Sequence, residues 1–162
     1  MSRFLLQRAR EGILKGRFLR CLPLPDVSRV QGLTINARAP GFVGRYIVVA
    51  DEHKAVVGLV VETLLNEGHA VFHAYDGLSA TQLALGLKIC DLVITNTRVG
   101  GVAGIDLIRE LREHLPKVPI LYLANNGRSS SELERDLPHN VPVLREPFSP
   151  NQLRAAVRYL LP

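Results

Sequence analysis

The chain has 162 residues, 47% of them hydrophobic and 22% charged, which is enough for one well-cored domain with an appendage. The net charge of +5 is unevenly placed: residues 1–45 hold nine Lys/Arg against Glu11 and Asp26, and residues 46–162 hold eleven against thirteen acids, so the basic character belongs to the N-terminal arm and not to the rest. No apolar run reaches the length of a membrane span, and Cys21 and Cys90 form no metal-ligand spacing, so a reduced, cytoplasmic protein is expected.

Residues 1–22 are basic, but at helical spacing their apolar side chains fall on opposite sides, and Gly12 and Gly16 weaken any helix. Pro23, Pro25, Gly32, Pro40, Gly41 and Gly44 then mark a linker. Residues 1–45 are therefore expected to be a poorly ordered basic arm, followed by a domain over 46–162. Only charge speaks for nucleic-acid binding by the arm, with little aromatic interleaving, so that reading is disfavoured.

From Tyr46 the pattern changes. Tyr46–Ala50 reads as a buried strand. His53–Glu67 reads as a helix with Val56, Val57, Val60, Val61 and Leu64 inward and Gly68 at its C-terminal cap. His69–Tyr75 is a second strand whose mixed polarity suits an outer position. Ser79 with Gln82 forms a capping box for a helix burying Ala80, Leu83, Ala84 and Leu87. Asp91–Thr95 is a third strand, followed by a loop with three glycines and a helix from Gly104 to about Leu115. Pro119–Leu123 is the fourth strand and Ser129–Leu137 a short helix. Val141–Leu144 is the fifth strand, and Ser149 caps a last helix with Pro150 in its first turn. Five strand–helix units imply an α/β, doubly wound five-stranded parallel sheet with helices on both faces. In such sheets ligands lie at the carboxyl ends of the strands, which puts position 96 at the centre of any chemistry.

Four motifs in order resemble the receiver domain of bacterial two-component response regulators: Val48-Val49-Ala50-Asp51-Glu52; Asp91 to Asn96 with Gly100, Gly101 and Gly104; Pro119 to Ala124; and Leu144-Arg145-Glu146-Pro147-Phe148. The resemblance covers 46–162. It implies a flavodoxin-like receiver fold with strand order 2-1-3-4-5 and a cis Glu146–Pro147 bond. It also implies phosphorelay signalling, in which a histidine kinase's phosphoryl group passes to an aspartate with help from a divalent cation.

The residues that would do this chemistry are changed. The acceptor position is Asn96, whose amide is not a competent nucleophile for an acyl phosphate. Asp51 and Glu52 remain from the acidic pocket, but its other member is Ala50. Ala124 replaces the family's hydroxyl, Glu146 its lysine, and Val143 its coupling aromatic residue. Mg²⁺ wants hard anionic oxygens, so no cofactor is expected, Mg²⁺ is disfavoured, and Asp51 is the remaining candidate metal ligand. Glu146 is expected to rotate outward, since exposed charge costs less than unpaired buried charge.

The reading is a pseudo-receiver that is no enzyme and works by protein–protein contact, with a receiver that still binds a cation or is atypically modified as the alternative. A nucleotide- or flavin-binding enzyme is a poorer fit, because Asp51-Glu-His-Lys54 offers no glycine-rich phosphate cradle. With Pro162 closing the last helix, output is expected to pass through contacts. The expected partner is a signalling protein (a histidine kinase or downstream regulator) or a second copy. The family's fourth helix–fifth strand–fifth helix face would carry the contact, here with Glu134, Arg135, Arg154, Arg158 and Tyr159.

Overall fold

The computed structural model describes residues 44–87, 90–125, 127 and 129–162, with Ser130 and Glu134 described in backbone only. The expectations for the arm, including Cys21, lie outside these residues. The elements in order are β1 (Tyr46–Ala50), α1 (Lys54–Asn66), β2 (Ala70–Ala74), α2 (Gly77–Gly86), β3 (Leu92–Asn96), β4 (Arg98–Val99), β5 (Val102–Ala103), α3 (Gly104–His114), β6 (Ile120–Ala124), α4 (Ser130–Asp136), β7 (Val143–Arg145) and α5 (Pro150–Leu160).

The main sheet is parallel in the order β2-β1-β3-β6-β7, which is the expected 2-1-3-4-5 arrangement once the short β4–β5 hairpin is set aside. Its central strands are buried on both faces, which is why β1 and β3 read as continuous apolar runs. Alternate residues Ile47, Val49, Val71, Leu92, Ile94, Leu121 and Leu123 meet Val57, Val60, Val61 and Leu64 of α1 and Leu153 and Val157 of α5 in one core. Helices α2 and α3 pack against each other on the opposite face. The last turn of α1 closes as a Schellman motif, with Gly68 N–H donating to Leu65 O (3.0 Å) and His69 N–H to Leu64 O (3.1 Å). The outer position of β2 and the α1 core residues match expectation, with Val56 only partly buried.

Four local features differ from the sequence reading. Helix α2 starts earlier, because Asp76 and not Ser79 is its N-cap: the Asp76 carboxylate accepts from Ser79 N–H (2.8 Å) and from Ser79 Oγ–H (2.7 Å). Asp91 lies outside β3 and fastens its start to β1, accepting from Tyr46 N–H at 2.8 Å. The final strand begins at Val143 instead of Val141, since Pro142 has no N–H to give the ladder. The glycine loop after β3 is a hairpin, β4 pairing antiparallel with β5, and Gly100 and Gly101 at its tip have φ of 57° and 84°, as a tight two-residue turn requires.

Candidate functional site

The carboxyl ends of β1, β3, β6 and β7 deliver the expected residues to one pocket. Register places Ala50 beside Thr95 and Asn96 beside Leu123, so Asp51 and Asn96 follow side by side out of adjacent strands. Ala50, Asp51 and Ala124 have no solvent exposure, and Asn96 is 3% exposed. Glu146 reaches the pocket from the end of β7. Its N–H donates to Ala124 O (2.8 Å), and its bond to Pro147 is cis, as the resemblance implied.

The centre of the site is the Asn96 side chain. Its Nδ2 donates to Asp51 Oδ2 at 2.5 Å and to Glu146 Oε1 at 2.9 Å, while its Oδ1 accepts from Thr97 N–H at 2.5 Å. The surroundings fix which end is nitrogen, since only an NH2 group can satisfy two carboxylates and only the oxygen can accept from a backbone N–H. Asp51 is further held by His53, whose N–H donates to Oδ1 at 2.8 Å and whose Nδ1 lies 3.1 Å from the same oxygen. Both Asp51 oxygens are therefore occupied, which is how a wholly buried carboxylate is tolerated. Glu52 is half-buried beside it with no hydrogen bond to this network.

Glu146 thus turns inward, contrary to the expected outward rotation. The reason is the amide: each of its two N–H groups takes one carboxylate, so Glu146 enters the pocket without being left unpaired. Two further contributors were not singled out from sequence, His53 and Thr97. The Asp-x-His spacing carried the first, as an Asx turn in which a side-chain oxygen accepts from the N–H two residues on. Thr97 also braces the pocket floor, its Oγ–H donating to Leu123 O at 3.4 Å and its carbonyl accepting from Gly104 N–H at 2.9 Å. Gly104 is required at this point: a Cβ there would stand 1.8 Å from Asn96 O.

As arranged, these residues do not fit a divalent cation. The oxygens that would ligate it are engaged by N–H donors, and an amide nitrogen lies between the two carboxylates. Among the described residues no group of three or more His, Cys, Asp or Glu is placed to hold a metal ion. Ala124 presents a buried methyl where the family's hydroxyl would stand.

The residues of the expected partner face are not all brought together. Arg154 and Arg158 turn toward the end of α1 and pair with Glu67, at 3.2 and 2.6 Å, holding its carboxyl below the usual carboxylate range, chiefly through the Arg158 hydrogen bond. Arg135 is exposed on α4 beside Asp136, while Val143 and Tyr159 are exposed on β7 and α5, Tyr159 at 81%. The Glu134 side chain lies outside the described residues. Elsewhere, burial lowers the pKa of both His69 and His73 and pushes the Cys90 thiol up to about 11, so Cys90 is not poised as a nucleophile.

Residues 47–158 match the model of a known family, the response regulator receiver domain. The uncharacterized transcriptional regulatory protein YrkP of Bacillus subtilis (strain 168) is 31% identical over 111 residues, which are 68% of this chain and 47% of that protein. A response regulator receiver protein from Sinorhizobium medicae WSM419 superposes with a TM-score of 0.66 at 26% identity, covering 74% of this chain and 95% of the other. The NtrX structure from Brucella abortus gives 0.64 at 23% identity, covering 73% of this chain and 27% of that one, a likeness of fold. The chain thus spans about half the length of its curated relative and about a quarter of NtrX.

Proposed function

The chain belongs to the response regulator receiver family, and on that premise we propose that its domain signals by protein contact without phosphorylation at the acceptor position. The observation that carries this reading is the Asn96 amide, donating to Asp51 and Glu146 at once. A carboxylate at this position would attack phosphorus through an oxygen; here the one side-chain oxygen of Asn96 accepts from Thr97 N–H, and an amide oxygen cannot form a stable acyl phosphate. Glu146 also opposes an incoming phosphoryl group where a cation would attract it. On this reading the domain is not a catalyst and holds no Mg²⁺. The pocket's own hydrogen bonds keep it in one state.

Family membership implies contact with kinases or other regulators. For this chain we assign the partner contact to the exposed part of the α4–β7–α5 face, with Arg135, Val143 and Tyr159, and leave Arg154 and Arg158 to their ion pairs with Glu67. A cytoplasmic site of action goes with this reading; no helix among the described residues is long and apolar enough to cross a membrane.

The test is incubation of the full chain with acetyl phosphate and Mg²⁺, read by intact-protein mass and acid lability. No phosphoryl adduct is expected on the wild type. An acid-labile adduct that disappears in Asn96→Ala would overturn the reading. Partner capture from the source cell should be indifferent to phosphodonor and weakened by Tyr159→Ala; a capture that depends on phosphodonor would overturn the contact mode.

A further inference from the structure

Helix α2 differs from the other four helices in carrying no charged residue at all: Gly77 to Leu87 reads GLSATQLALGL. Its inner side buries Gly77, Ala80, Thr81, Leu83 and Ala84. Its outer side is not the polar stripe an amphipathic surface helix presents to water. Leu78 is 43% exposed and Leu85 40%, with Gln82 exposed between them. The hairpin adds to this surface: Val102, 42% exposed, has its side-chain carbons 3.6–3.7 Å from where a Gly77 Cβ would stand. The hairpin is seated closely there, since a Cβ on Gly100 would fall 2.6 Å from Asp76 Cβ. Half of the exposed large apolar side chains among the described residues thus gather on one face, where single exposed leucines would need no explanation.

The layout of this face identifies what covers it. Leu78, Gln82 and Leu85 lie four and three residues apart, on one side of the helix and nearly symmetric about Gln82. A two-fold axis beside Gln82 would set a second α2 antiparallel to the first, with Leu78 against the other copy's Leu85 and Gln82 against Gln82. A primary amide both donates and accepts, so it is its own complement. Helix α2, having no charged residue, brings no like-charge repulsion when it meets itself at the axis, and the exposed Arg98 is the one charge on the two hairpin strands. We propose that the chain self-associates as a two-fold dimer through α2 and the β4–β5 hairpin, on a face separate from α4–β7–α5. One short helix and a hairpin make a contact below the size of stable interfaces. The association is therefore concentration-dependent, with a Kd on the order of 10–100 µM.

Sedimentation equilibrium on the full chain tests this. The weight-average mass should climb from the 17.9 kDa monomer toward twice that value across this concentration range. Leu78→Glu and Leu85→Glu, both exposed positions, should abolish the rise with an unchanged circular dichroism spectrum, and Tyr159→Glu should leave it intact. Independently, Gln82→Cys in a chain with Cys21→Ser and Cys90→Ala should form a disulfide-linked dimer under mild oxidation, while Leu59→Cys in the same background should not. A monomer at every concentration overturns the proposal. So does an association that survives Leu85→Glu and is lost with Tyr159→Glu, or a position-59 cross-link formed in preference to the position-82 one.

Discussion

The substitution Asn96→Asp, which restores the family's acceptor residue, should destabilise this protein severely at neutral pH. It is isosteric, so no cavity or overpacking enters; only the two N–H donors are exchanged for an oxygen. Wild-type Asn96 donates to Asp51 at 2.5 Å and to Glu146 at 2.9 Å, with Asp51 wholly buried. Hydrogen bonds to charged groups contribute about 1.5–3 kcal/mol each, and breaking a buried charged pair costs about 3–5 kcal/mol. Loss of both bonds, with three carboxylates left facing one another, sets the cost at roughly 3–5 kcal/mol, a fall in Tm on the order of 10 °C for a domain of this size. The pH dependence follows in sign. Like-charge repulsion raises the new carboxyl's folded pKa above its unfolded value of about 3.9. The folded state therefore binds the extra proton, and stability of the variant falls as pH rises from about 4 through the raised value. Mg²⁺ should recover part of the loss by supplying the missing positive charge. Phosphorylation by acetyl phosphate should remain poor, since Ala50, Ala124 and Glu146 are unchanged. Urea denaturation of wild type and variant at pH 5 and 7.5, with and without Mg²⁺, measures the stability changes, and intact-protein mass after acetyl phosphate treatment measures the phosphorylation. A variant as stable as wild type at pH 7.5 in chelator would refute the amide bridge.

Three further outcomes are expected. Gly104→Ala should fold poorly, or lose more than about 4 kcal/mol, because its Cβ would sit 1.8 Å from backbone oxygen of Asn96; soluble yield and thermal melting check it. Asp76→Ala should cost about 1 kcal/mol as a lost N-cap, and Ser79→Ala less, since the Ser79 backbone N–H still donates to Asp76; equal effects in urea titrations would return the cap to Ser79. His73 is 7% exposed and burial lowers its pKa below 6.5, so the unfolded state takes up the proton first; stability should be full above pH 6.5 and decline as pH falls beneath it. His73→Leu should flatten that decline between pH 5.5 and 7.5 without removing it, because His69, also lowered by burial, still titrates.

The parts of this molecule legible in its sequence are those fixed by burial and by local hydrogen bonds. Strands β1 and β3 announce themselves because both faces are covered, and Ser129 and Ser149 because each is followed three residues later by a side chain that closes a capping box. The same signal misleads at Ser79, where Gln82 completes the pattern but Asp76, three residues upstream, is the stronger acceptor and lengthens the helix. The hairpin was written as a Gly-Gly pair, yet its strands are two residues each, too short to show alternation. Which residues share the pocket follows from topology alone. How they are oriented does not, because the direction of Glu146 depends on a partner fifty residues away.

That dependence explains why the altered residues belong together. With Asn at 96, the pocket contains two N–H donors aimed at the carboxyl end of β1 and at β7, and its one side-chain acceptor is used by Thr97. A lysine at 146 would then face donors with nothing free on Asn96 to accept from it, whereas a glutamate is satisfied at once. With an aspartate at 96 the preference inverts, since a glutamate at 146 would make three facing carboxylates, whereas a lysine there leaves two and supplies a cation. Glu146→Lys alone should therefore lose its bond to Asn96 and turn to Asp51, and Asn96→Asp with Glu146→Lys should be more stable than the sum of the two single changes, by a coupling of at least about 1 kcal/mol in a double-mutant cycle. Zero coupling would mean that the hydrogen bond between these two side chains is incidental to stability.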